Sequence, residues 1–145
     1  MSNLKQYNYP GVGEWASANL NYAQAVRVEN RIVCSGQGWG WDSKATEVDF
    51  DTMIPKDINK EVDQAFENCD INLKHAGGLG WSQVYRIVTY CTDISAVDER
   101  IRYNLKKWMP NHQAVWTELG IKELGAKTMH IEIDVEAYDN RADKA

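Results

Sequence analysis

Residues 129–137, MHIEIDVEA, are the strongest indication of the fold, because apolar and polar side chains alternate in them without a break. A period of two residues is that of a β-strand with one buried face and one polar face. The polar face carries Glu132, Asp134 and Glu136. Taken singly, each of these carboxylates is adequately explained as a group that faces water. The rest of the chain has to indicate whether one of them takes part in chemistry.

Composition narrows the class of protein. The 145 residues suit one domain, and a hydrophobic fraction of 43% favours a packed core over disorder. No apolar run approaches the ~20 residues of a membrane span, and residues 1–6 lack the apolar core of a signal peptide. The three cysteines are scattered along the chain, and no two have the spacing of a metal-binding knuckle. They predict no disulfide framework, and free thiols favour a reducing, cytoplasmic setting. A net charge of −5 argues against broad binding to nucleic acid.

The segments before the last strand alternate between strand and helix patterns. Tyr22 and the alternating residues after it predict a β-hairpin that turns at Glu29 and Asn30. In chain order, the predicted elements are strands 22–28 and 31–35, a helix from the N-cap Asp57 to Gly77, a strand 81–91, a helix from a capping box at 95–98 to Pro110, and a strand 114–121.

This order, β-β-α-β-α-β-β, predicts an α+β fold with a mostly antiparallel sheet and two helices packed on one face. We expect an irregular N-terminal arm over residues 1–20, a single domain over 21–138 and a polar, frayed tail over 139–145. Residues 81–91 are apolar on both faces, so the sheet face without helices is expected to meet another subunit.

A glycine-rich loop follows the hairpin at residues 36–42, GQGWGWD. It lacks the Lys-Ser/Thr ending of a phosphate loop, and no helix opens directly after it as in a dinucleotide fingerprint. Trp39 and Trp41 on this loop either form the rim of a pocket or an interface, or close the edge of the core. The sequence leaves both interpretations open.

Three short motifs carry a resemblance: residues 22–26 (YAQAV), 35–37 (SGQ) and 131–133 (IEI) with Ala137. With the order of elements, they resemble the Rid family, also called YjgF-like or L-PSP, over most of the chain. The resemblance implies a chorismate-mutase-like homotrimer with small-molecule pockets in clefts between subunits. Its best-known members are deaminases that hydrolyse enamines and imines such as 2-aminoacrylate, and others are reported as ribonucleases or translation inhibitors.

The resemblance also implies roles for single residues. Glu132 matches the glutamate that orients or activates the attacking water. The family's carboxylate-binding arginine, fourteen positions before Ile131, is replaced by Thr117. Loss of such a charge-assisted pair costs about 2–5 kcal/mol in binding, so ordinary 2-aminoacrylate deamination is not expected. Other positions that match or replace family pocket residues are Tyr22, Ser35, Gly36, Leu119 and Arg100. Arg100 either supplies a cation from a new direction or is a surface helix residue.

The remaining chemistry suggests an altered substrate. Trp39, Trp41 and Trp116 are expected to build a drier, more aromatic pocket for a larger and less charged ligand. His130 and Glu132 lie two apart on one strand face but have no third ligand nearby, so no metal and no cofactor are predicted. Three functions follow: hydrolysis of an enamine, imine or related metabolite, non-catalytic small-molecule binding by a trimer, or ribonuclease and translation inhibition, which the acidic balance disfavours.

Overall fold

The computed structural model describes residues 3–38 and 47–141. Trp39 and Trp41 of the glycine-rich loop lie outside the described residues. The strands are β1 Gln6–Tyr7, β2 Ala25–Val28, β3 Arg31–Cys34, β4 Gln37–Gly38, β5 Val84–Cys91, β6 Val115–Gly120 and β7 Ile131–Tyr138. The α-helices are α1 Val12–Leu20, α2 Phe50–Met53, α3 Ile58–His75 and α4 Ile94–Trp108. A 3-10 turn spans Gly80–Gln83.

The sheet is ordered β1-β2-β3-β7-β5-β6, and the short strand β4 pairs with β7 as well. The final strand is therefore central, antiparallel to β3, β4 and β5. The pair β5 and β6 is parallel, because α4 crosses between them and returns the chain in the same direction. The predicted mostly antiparallel α+β fold is confirmed, and so is the hairpin, which turns at Glu29 with a φ of 55°.

One face of the sheet packs against α3 and α4. Ile131, Ile133 and Val135 of β7 are fully buried there, as the alternation of residues 129–137 predicts. The helix α3 begins where Asp57 predicts, since its carboxylate accepts hydrogen bonds from the backbone N–H groups of Asn59 and Lys60 at 2.9 and 3.2 Å. The opposite face, which we call the open face, carries the alternate side chains of the same strands.

Trp81 corrects the predicted start of the long strand. It lies in the 3-10 turn and not in β5, which begins at Val84. Its indole stacks on Phe66 at 4.9 Å between ring centroids and donates a hydrogen bond to the Phe66 carbonyl at 2.9 Å. Gly80, at a φ of 80°, permits the turn that aims this side chain into the core. The apolar pattern reflected burial and not strand conformation.

Three other predictions about local structure are wrong. The N-terminal arm contains α1, whose Val12 and Ala16, one turn apart, are completely buried. The helix α4 follows Asp93 and does not start from a capping box at 95–98, because Ser95 donates its hydroxyl hydrogen bond to Asp93 at 2.6 Å. Asp139 is not frayed: it is 4% exposed and paired with Arg27 at 2.9 Å.

None of the helices in the described ranges is long and apolar enough to cross a membrane. The cytoplasmic location stays a prediction.

Candidate functional site

The open face brings the three acids of β7 into rows with side chains of β5 and β6. Glu132, Asp134 and Glu136 are half-buried on this face. Their neighbours in successive rows are Tyr90 and Leu119, Val88 and Thr117, and Arg86 and Val115. Thr117 thus shares its row with Asp134, and Leu119 shares its row with Glu132. The arrangement is a strip of acids beside a mostly neutral edge strand.

Glu132 is held against the loop that joins β3 to β4. With Glu132 in this conformation, a Cβ atom added to Gly36 would overlap the Glu132 Oε1 atom, so the glycine leaves room for the carboxylate there. Within the described residues, no side chain or backbone group donates a hydrogen bond to this carboxylate. A half-buried acid without a donor retains its full capacity to accept a proton or a hydrogen bond from a ligand.

The electrostatics of the strip differ from one acid to the next. Burial raises the pKa of Glu132, and the Asp134 charge raises it further. Burial likewise raises the pKa of Asp134, while Arg86 opposes that rise. The Arg86 guanidinium lies 3.5 Å from Glu136 and 4.0 Å from Asp134. Arg86 therefore offsets the charges of Glu136 and Asp134 and leaves that of Glu132 without a paired cation among the described residues. Because its pKa is raised, Glu132 is the acid of the strip best suited to exchange a proton.

A buried amide network positions the loop that carries Gly36. The Tyr9 hydroxyl donates to Gln37 Oε1 at 2.8 Å, and Gln37 Nε2 donates to Gln24 Oε1 at 2.9 Å. Ser35 Oγ donates to the Gln24 carbonyl at 3.1 Å. The sequence alone gives Gln24 and Gln37 no evident role, although they lie inside the YAQAV and SGQ motifs. Ser35 supports the loop in the single chain through this bond.

The remaining pocket predictions divide between the two faces. Thr117 and Leu119 are exposed on the open face, and Tyr22 is 37% exposed in the loop after α1. Trp116 points the other way, because neighbours on a strand alternate. Its indole nitrogen donates to Thr89 Oγ1 at 3.0 Å, and its ring packs beside the helix-covered core. Within one chain, Trp116 and Thr117 therefore face opposite sides of the sheet, and a shared cleft between subunits stays a prediction.

Arg100 lies on the outer helix layer, as the second of its two interpretations predicts. Its guanidinium donates two hydrogen bonds to Asp63 of α3, at 2.8 and 2.6 Å, and lies 4.3 Å from the centre of the Tyr103 ring. This bidentate pair joins α3 to α4 in the helix layer. Arg100 does not meet Glu132 in the single chain, because the sheet separates the two side chains.

His130 is not a partner of Glu132 either. Its backbone N–H and its ring Nδ1 both meet the buried carboxylate of Glu61, at 2.6 and 2.8 Å. The side chain is thereby turned toward α3. Among the residues that the structure describes, no group of three or more histidine, cysteine or acidic side chains is arranged to hold a metal ion.

Comparison with known proteins settles the family. The family model described as Endoribonuclease L-PSP matches residues 14–139. The chain belongs to the Endoribonuclease L-PSP family. The predicted resemblance to Rid and YjgF proteins is thereby confirmed. Among curated proteins, no sequence matches the chain significantly.

Solved structures share the fold of this L-PSP family member. The protein YjgH has a TM-score of 0.76 at 20% identity, covering 95% of this chain and 98% of its own. A YjgF/YER057c/UK114 family member from Mycobacterium tuberculosis has a TM-score of 0.72 at 23% identity, covering 94% and 99%. RidA from an Antarctic Psychrobacter species has a TM-score of 0.72 at 22% identity, covering 95% and 99%. At these identities the likeness establishes the fold, and membership of the family supports a small-molecule-related function in general.

Proposed function

We propose that this protein hydrolyses an enamine, an imine or a related small metabolite in a cleft on the open face, with Glu132 as the catalytic base. The observation that carries the proposal is the environment of Glu132. Its carboxylate is half-buried, lies where a Cβ atom at position 36 would overlap it, and accepts no hydrogen bond from the described residues. A raised pKa brings a carboxylate closer to neutral pH, where general-base catalysis is most effective.

The proposed reaction needs only water. An enamine takes a proton from solvent on carbon, and an imine takes one on nitrogen, so that either becomes an iminium ion. Glu132 removes a proton from a water molecule as the water oxygen bonds to the iminium carbon, and the C=N electron pair moves to nitrogen to give a neutral carbinolamine. Glu132 then returns its proton to the amine nitrogen, the C–N bond breaks to release ammonia as the carbonyl forms, and the hydroxyl proton leaves to solvent. Backbone N–H groups near Gly36 or Leu119 are our candidates for stabilising the developing charge.

Thr117 shapes the proposed specificity. In the Rid family, the resemblance implies an arginine here that clamps a substrate carboxylate. Thr117 offers one neutral hydroxyl, and its row continues through Val88 to the anionic Asp134. Arg86 is already engaged by two carboxylates. A carboxylate ligand would meet net negative charge, so the favoured substrate lacks a carboxylate and is neutral or cationic.

We further propose that three copies meet through the open face and complete the clefts there. Val115 is 68% exposed, Leu119 42% and Tyr138 46%, and all three lie on strands of the uncovered face. Such exposed apolar groups on one face are typical of an interaction surface. A sedimentation velocity run at micromolar concentration tests this: a species of one chain's mass contradicts the trimer.

The test of catalysis compares Glu132→Gln with Glu136→Gln, a matched control on the same strand face. Imines generated in situ by an amine oxidase and by an amino-acid oxidase are allowed to react with semicarbazide, and hydrolysis by the protein lowers the initial rate of semicarbazone formation, because the carbonyl product reacts more slowly than the imine. We expect faster hydrolysis of imines without a carboxylate, its loss in Glu132→Gln by at least about 100-fold, and its retention in Glu136→Gln. Equal rates in the wild type and Glu132→Gln contradict the proposal.

The replacement of the family's arginine by Thr117 favours one alternative, a trimer that binds a small molecule without turning it over, because that arginine is the group that would hold a substrate carboxylate. In that case Glu132→Gln changes affinity and no imine is hydrolysed. The strip of three acids, balanced by Arg86 alone within those rows, disfavours a phosphodiester substrate. RNA cleavage that follows the protein through purification and vanishes in Glu132→Gln would restore the ribonuclease hypothesis.

A further inference from the structure

A second concave site lies on the helix side of the sheet, away from Glu132. It is a groove of about 710 Å³ between the last turns of α4, the loop 109–114 and the edge strand β6. This volume falls in the range of about 300–1,000 Å³ that is usual for small-molecule sites. The open-face mechanism proposed above makes no use of it.

The interior of the groove is apolar and well supported. Ile87 and Met109 are 1% and 7% exposed, and Leu105 and Trp116 complete the lining with partly buried side chains. Trp116 is oriented by the hydrogen bond from its indole nitrogen to Thr89, at 3.0 Å. An anchored indole and a thioether in the same lining are suited to an aromatic ring, which packs favourably against either group.

The loop 109–114 is anchored by a hydrogen bond from His112. His112 Nε2 lies 2.9 Å from the Val84 carbonyl, so this nitrogen carries the proton and donates the bond. This hydrogen bond ties residues 109–114 to the start of β5. The groove therefore has both of its walls held in place without a ligand.

The charge at the rim is opposite in sign to that of the chain. Arg102 and Lys106, one turn apart on α4, both line the groove, and none of the described lining residues is a carboxylate. Arg102 is paired with Asp98 at 2.7 Å. Lys106 has no ion pair within the described residues. In a chain of net charge −5, this is a local cationic rim above an apolar floor.

We propose that this groove binds a small aromatic anion, with the ring against Trp116 and Met109 and the anionic group at Lys106. The charge of the rim selects the anion, and the apolar interior selects the ring. Binding here is independent of Glu132, since the sheet separates the two sites.

Naphthalene-1-acetate is a suitable probe, and naphthalene-1-acetamide is its neutral match. We would titrate each into the ¹⁵N-labelled full-length protein and follow backbone and indole signals. We expect the acetate to bind with a Kd of about 1 mM or tighter, the value ordinary for a ligand of this size. The shifted signals should include Gln113 and the Trp116 indole, and the acetamide should bind at least about threefold more weakly.

Lys106→Gln and Lys107→Gln form a matched pair of variants on one exposed helix surface. Lys107 lies over the Trp108 ring at 5.5 Å and does not line the groove. We expect Lys106→Gln to weaken acetate binding by about three- to fivefold and Lys107→Gln by less than about twofold. Equal affinities for acetate and acetamide, equal effects of the two variants, or shifts confined to Gly36 and β7 would overturn the proposal. The last result would also assign the probe to the open face.

Discussion

The carboxylate of Asp139 binds side chains from three separate parts of the chain. Arg27 of β2 and Arg141 both donate to its Oδ2 atom at 2.9 Å. Gln83 of the 3-10 turn donates to its Oδ1 atom at 3.0 Å. Arg27 also donates to the Ala76 carbonyl at 3.0 Å, just after α3. One carboxylate thus connects the hairpin, the end of α3 and the end of β7.

The substitution Asp139→Asn removes the charge and keeps the volume. Because the carboxylate is only 4% exposed, its arginine partners lose a buried counter-ion. Breaking a buried pair from one side costs about 3–5 kcal/mol. Arg27 keeps 21% of its side chain exposed and Arg141 48%, so water compensates for part of the loss and the lower end, about 3 kcal/mol, applies. For a chain of this length that lowers Tm by about 10 °C.

The effect has a defined dependence on pH. Hydrogen bonds from Arg141, and after them from Arg27, hold the pKa of Asp139 well below its usual range. A depressed folded-state pKa stabilises the protein above the unfolded-state pKa, about 3.9, and that stabilisation is lost as the pH falls toward the folded-state pKa. The free-energy difference between wild type and Asp139→Asn should therefore be complete at pH 7 and shrink as the pH falls below about 4.

Urea unfolding followed by tryptophan fluorescence, at one protein concentration and at pH 7 and pH 3, measures both parts of this prediction. Glu123→Gln is the control, because Glu123 is exposed and has no ion pair within the described residues. It should change the free energy of unfolding by less than about 0.5 kcal/mol. If Asp139→Asn is equally mild at pH 7, or if its cost is as large at pH 3 as at pH 7, the reasoning is refuted.

Three other predictions concern single sites. Gly36→Ala places a Cβ atom in overlap with Glu132 Oε1, so it should displace the carboxylate and abolish imine hydrolysis in the semicarbazide assay while the circular dichroism spectrum is retained; unchanged hydrolysis would count against the site. Asp57→Ala removes the α3 cap and should cost about 1 kcal/mol in urea unfolding, with Asp57→Asn close to wild type. Burial raises the pKa of every cysteine thiol, to about 12 for two of them, so Ellman's reagent at pH 8 should label none until urea is added. The three thiols are Cys34, Cys69 and Cys91.

Local patterns in the sequence were sufficient for much of the architecture. The alternation of residues 129–137 predicts a half-buried strand, and Asp57 predicts where α3 begins, because both signals depend only on neighbouring residues. The same alternation separates Trp116 from Thr117, and applying it to β6 would have placed the tryptophan on the helix side. Glu132 is predicted to be a site residue because the IEI motif and the strand pattern coincide there.

Tertiary structure decided which polar groups meet. From the sequence, Arg100 is a surface helix residue with no evident partner. The fold brings Asp63, 37 residues earlier, beside it. Asp139 reads as part of a polar tail until Arg27, 112 residues away, pairs with it. Local periodicity and short motifs were sufficient to predict most of the strands and helices, the core face and the family. The partners of each charge, and the space that Gly36 leaves for Glu132, depend on strand order and register, which only the folded chain establishes.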